Sequence, residues 1–73
     1  MFVEDYNGWR LHWHGWYEPA HFVGVFSWWT AFRGEQMHSE RVVIEGTDIP
    51  FRQKLAARDV GLDRLKQKLD AAV

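Results

Sequence analysis

Four histidines are the first residues in this chain whose type and spacing bear on chemistry. His12 and His14 lie two apart in the run Trp9-Arg10-Leu11-His12-Trp13-His14. Side chains on a strand alternate between its faces, so two imidazoles at this spacing point the same way. A His-x-His pair is one way to present two nitrogens to zinc. His21 and His38 are further donors, and Glu18 or Glu40 could add a carboxylate. A zinc centre needs at least a third protein ligand, and the remaining donors follow no zinc spacing. His12 and His14 are therefore weak metal candidates. The plainer expectation is a half-exposed strand with polar positions there, and no cofactor.

Other chemistry has less to stand on. The chain has no cysteine, which removes disulfides, thiolate ligands and a cysteine nucleophile. It has no Gly-x-Ser-x-Gly elbow, phosphate loop or dinucleotide fingerprint, and Ser27 and Ser39 sit in no motif. A pocket that buries a substrate takes several hundred Å³, which a chain of 73 residues seldom encloses. The expectation is that it is not an enzyme.

Nucleic acid is a better-founded alternative. Arg52, Lys54, Arg58, Arg64, Lys66 and Lys68 cluster in the last third, where Lys54, Arg58 and Arg64 could form a stripe. Exposed rings elsewhere could stack on unpaired bases. Against this, Asp59, Asp63 and Asp70 are interspersed, and nine basic residues against ten acidic leave little attraction for phosphates.

The elements that must position these residues can be read from periodicity. Residues 1–8 read as a lead-in ending in the turn pair Asn7-Gly8. Trp9 to His14 alternates apolar and polar, the mark of a strand with one buried face, and Gly15 and Glu18-Pro19 break it. Phe22-Val23-Gly24-Val25-Phe26-Ser27-Trp28-Trp29 is apolar on both faces, as a central strand is. Arg33-Gly34-Glu35-Gln36 reads as a turn, and Arg41 to Glu45 as a third strand closed by Gly46. Thr47 and Asp48 then offer capping oxygens, with Pro50 in the first helical turn. Phe51, Leu55, Leu62, Leu65, Leu69 and Val73 make one apolar stripe, its pattern interrupted at Gly61. The reading is one α+β domain over 1–73. A three-stranded antiparallel meander occupies 1–46 and an amphipathic helix 47–73, packed on one sheet face (β-β-β-α).

With Glu18-Pro19 at the centre of the first turn, Leu11 pairs with Phe26 and Trp9 with Trp28. With Gly34-Glu35 at the centre of the second, Val43 lies beside Phe26. The helix then covers the face bearing Trp9, Leu11, Trp13, Phe26, Trp28 and Val43. The opposite face carries Arg10, His12, His14, Val23, Val25, Trp29, Val42 and Ile44, and nothing remains to cover it. An exposed apolar patch of that size marks a contact surface. A shift of one residue would exchange the faces.

Twelve aromatic residues, five of them Trp, are many for so small an interior. The Leu55, Leu62, Leu69 heptad also lets the helix meet a second copy. The expected function is a non-catalytic protein-interaction module. It would form a homodimer, or act as an inhibitor or adaptor on a larger protein target, of the type mobile elements use against host enzymes (anti-CRISPR proteins are one such class). The start Met1-Phe2-Val3-Glu4-Asp5 has no basic or apolar leader region, and the longest apolar run is too short to span a bilayer. A cytoplasmic protein without membrane partners is therefore expected.

Overall fold

In the computed structural model, which describes residues 2–71, an antiparallel sheet is followed by one helix. The sheet has four strands, not three. They are β1 (Phe2–Tyr6), β2 (Trp9–Tyr17), β3 (Gly24–Arg33) and β4 (Gln36–Glu45), side by side in chain order. The helix α1 runs from Phe51 to Ala71 without interruption at Gly61. It is not apolar enough to cross a membrane.

The extra strand comes from the segment read as a lead-in. Asn7 and Gly8 both have positive φ, 48° and 85°, the conformation of a tight two-residue hairpin whose twist matches its strands. Tyr6 therefore pairs with Trp9, and Phe2 reaches Trp13. The β3–β4 turn falls on Gly34-Glu35, with Gly34 at φ 61° and Phe26 opposite Val43, as the sequence indicates.

The β2–β3 connection is where the expected register fails. Leu11 pairs with Ala31 rather than Phe26, and Trp13 with Trp29. A bulge lies between Trp13 and Trp16, with Gly15 at φ 90°, a conformation that costs glycine little. The turn is also longer than a Glu18-Pro19 pair. These changes shift the pairing by an odd number of residues, so β3 and β4 present opposite faces to those expected. Trp9 and Leu11 are buried under the helix as anticipated, but their neighbours there are Trp29 and Ala31.

The core lies between that face and α1: Trp9, Leu11, Trp29, Ala31, Leu65 and Leu69, with Tyr6, Trp13 and Leu62 packed around it. The helix approaches through small residues, Ala57 and Gly61, both buried. Phe51, expected in the stripe, is exposed, although its ring meets Trp16 edge-on at 5.7 Å. Val73 lies outside the described residues.

The tryptophans explain themselves in this frame. The Trp29 indole N–H donates to the Arg58 carbonyl at 2.8 Å and that of Trp16 to the Lys54 carbonyl at 3.1 Å, acceptors one helical turn apart. Trp13 donates to Ser27 Oγ at 3.1 Å. The bulge puts Trp16 on the same side as Trp13, their rings edge to face at 4.7 Å. Each large ring thus brings apolar area and one satisfied donor.

The last turn of α1 is tied to β1. Tyr6 donates its hydroxyl to both carboxylate oxygens of Asp70, at 3.0 and 2.9 Å. That hydrogen bond, with desolvation and the carboxylate's charge, holds the phenol above its ordinary 10.0, while Lys66 works in the other direction. A raised folded-state value means a contribution present below the unfolded phenol's range and lost as pH rises through the folded one. Phenolate absorbance during alkaline titration should show Tyr6 ionising above 10.0. Asp70→Asn should bring that midpoint down, and an unchanged midpoint would count against the contact.

Candidate functional site

Among the described residues no segment covers the face of the sheet turned away from α1. Position by position it carries Val3 and Asp5 from β1, and Arg10, His12, His14 and, beyond the bulge, Tyr17 from β2. From β3 come Gly24, Phe26, Trp28, Thr30 and Phe32, and from β4 Met37, Ser39, Arg41, Val43 and Glu45. Trp28 is 48% exposed, Tyr17 61% and Met37 63%, which is high for side chains of this kind held on regular strands.

Two apolar groups stand on this face. One is built on Tyr17, Phe26, Trp28 and Val43. The Tyr17 and Phe26 rings lie 6.4 Å apart, and Phe22 closes on Phe26 at 5.2 Å. The Arg41 guanidinium lies over the Phe26 ring at 4.9 Å, and no carboxylate among the described residues pairs with it. Tyr17, Phe26, Trp28 and Arg41 line one side of a shallow groove of about 580 Å³ that reaches Ser39, Glu40 and Lys68 at the β4 edge. The second group, Phe32 and Met37, sits towards the Gly34 turn, with His12 edge-on to Phe32 at 5.3 Å. A polar row, His12, Thr30 and Ser39, separates the two.

Of the residues expected on this surface, Arg10, His12 and His14 are here. Arg10 is paired with Asp5 at 3.2 Å. The expectation is corrected for the others. Val25, Trp29 and Val42 are buried under the helix, at 3%, 0% and 9% exposure. Ile44 shares their side as the partner of Val25. Val23 is exposed but belongs to the loop before β3, in a second groove of about 520 Å³. Sequence reasoning missed Tyr17, Phe26, Trp28, Phe32, Met37 and Val43 as surface residues. Gly15 was the available signal, because a glycine inside a strand pattern suggests a bulge and a bulge changes which face follows.

The other two constellations do not assemble. His14 Nε2 lies 2.7 Å from Thr30 Oγ1 and its ring rests on Trp28 at 5.0 Å. Among the described residues no three His, Asp or Glu side chains converge on a metal position. The helix cations are mostly engaged. Lys54 lies 4.0 Å from Glu18, and Lys66 is 2.6 Å from Glu4. Lys68 holds Glu40 at 3.3 Å and the Ser39 carbonyl at 2.9 Å. Arg58 sits over Phe2 and Trp13 and pairs with Asp59. Arg64 is exposed, so Lys54, Arg58 and Arg64 form no free stripe.

Comparison with protein-family models, curated proteins and solved structures gave no match.

Proposed function

We propose that the chain is a non-catalytic protein-interaction module that works through its open sheet face, in self-association or as an inhibitor or adaptor on a larger protein. The observation that carries this reading is the pairing of two adjacent tryptophans on opposite faces. Trp29 is fully buried under the helix, while Trp28 is held half-exposed on the side of Tyr17 and Val43, with none of the described residues packed over that face. Large rings on a rigid sheet lose little side-chain entropy on binding, which is why tryptophan and tyrosine recur where binding energy concentrates.

Single-stranded nucleic acid is the second reading, supported by Arg41 beside the Phe26 and Trp28 positions. It is weakened by the internal engagement of the helix cations and by the near-zero net charge. A photoreactive side chain placed at position 17, on the open face, and at position 64, on the outer face of the helix, separates the possibilities in cells. The expected result is a protein adduct from position 17 that disappears when Trp28→Lys is added, with none from position 64. Equal labelling from both positions, or adducts carrying only nucleic acid, would overturn the proposal.

A further inference from the structure

Building on that reading of the open face, we infer that its occupant is a second copy of this chain, the two sheets packing face to face with Trp28 near the centre. Three observations select this occupant.

The first is charge. Asp5 and Glu45 stand on the open side with Arg10 and Arg41, so its formal charge sums to zero. Two copies therefore meet without net repulsion, and Arg41, which has no carboxylate partner in its own chain among the described residues, can take one from the other copy. A polyanion would gain little from such a face.

The second is area. Four strands about 4.8 Å apart at the rows from Trp29 to Phe32, and three at the rows from Phe26 to Trp28 that β1 does not reach, at roughly 3.3 Å per row, give a footprint of about 400 Å² per copy in projection. Side-chain relief raises the accessible area above the flat value. The total stays below the about 1,200–2,000 Å² of standard interfaces and falls in the class of weak, transient contacts.

The third is composition. Apolar groups at both ends of the face, with Ser39 and His12 between them beside a Thr30 that is buried and already bonded to His14, give a patch that can bury rings and satisfy those two polar side chains by reciprocal hydrogen bonds across a two-fold axis. Stacked sheets pack about 10 Å apart, which leaves room for the Trp28 and Tyr17 rings of each copy to interdigitate.

The test is sedimentation equilibrium from micromolar to millimolar concentration on the wild type, Trp28→Lys and Arg64→Glu. Wild type and Arg64→Glu should dimerise alike. Trp28→Lys should weaken the dimer at least 100-fold while far-ultraviolet circular dichroism stays unchanged. Met37→Glu, at the other apolar group, should weaken it to a smaller extent and guards against a folding defect peculiar to Trp28→Lys. A wild type that stays monomeric at millimolar concentration, or a dimer indifferent to both substitutions, overturns the inference. If the monomer still forms the Trp28-dependent protein adduct from position 17, only the second copy is refuted and the interaction face stands. If that adduct is missing too, both fall.

Discussion

Trp29→Ala should strip the protein of much or all of its stability, while Trp28→Ala should leave it folded. The side chains are adjacent in sequence and differ in one respect, the face of β3 they occupy. Trp29 is fully buried. Its N–H is bonded to the Arg58 carbonyl, and its ring meets Phe2 edge-on at 5.5 Å and Trp13 at 6.4 Å. Truncating a buried tryptophan to alanine costs about 3–5 kcal/mol through lost burial and the cavity left behind. A domain of 73 residues has roughly 4–11 kcal/mol in total, at about 0.05–0.15 kcal/mol per residue, so the change removes much or all of its stability. Trp28 makes one ring contact, with His14, and its loss should change stability by about 1 kcal/mol or less. Urea unfolding followed by circular dichroism, in dilute protein so that association does not contribute, measures both. The reverse ranking would mean the sheet faces are exchanged.

The chain's composition and periodicity contained most of this architecture, and the points where they did not are local. Alternation from Trp9 to His14 identified the helix-facing residues of β2, because a half-buried strand shows its period directly. The Gly34-Glu35 turn set the β3–β4 register, because a two-residue hairpin fixes which residues face each other. β1 was hidden because Phe2 to Tyr6 is short and carries Glu4 and Asp5. Glu4 is a helix-side residue that β1 tolerates because Lys66 meets it there. β3 was ambiguous by its nature. A run apolar on both sides carries no phase, so its face depends on the preceding connection, and one bulge residue at Gly15 was enough to reverse it. The candidate surface inherited that reversal whole. The apolar residues named for an uncovered face were largely those of the helix side. The histidines and Arg10 kept their places because β2 carries its own phase.

The helix stripe was misjudged for a related reason, and it leads to the second large effect. Reading the stripe by its large apolar residues emphasised Phe51 and treated Gly61 as a flaw. In the folded chain Phe51 is exposed and Gly61 is buried where α1 passes closest to the sheet. A Cβ at position 61 would stand 3.0 Å from Trp29 Cδ1 and 3.3 Å from both Trp29 Nε1 and Val42 Cγ2. Trp29 cannot readily withdraw, since its ring is held between Phe2 and Trp13 and its N–H is anchored on Arg58. Alanine normally stabilises a helix interior by about 1 kcal/mol over glycine. Forcing extra carbon into a packed core costs about 1–3 kcal/mol. Gly61→Ala should therefore be net destabilising by about 1 kcal/mol, and Gly61→Val, with two further methyl groups and a β-branch, by about 3 kcal/mol or more. The control is Ala56→Gly on the exposed side of the same helix, where propensity acts alone and glycine should cost about 1 kcal/mol. Glycine would thus be harmful at 56 and required at 61. Urea midpoints for the three variants decide the matter. A Gly61→Ala protein more stable than the wild type would place the helix farther from Trp29 than the contact distances allow, and the indole hydrogen bond to Arg58 would have to be abandoned with it.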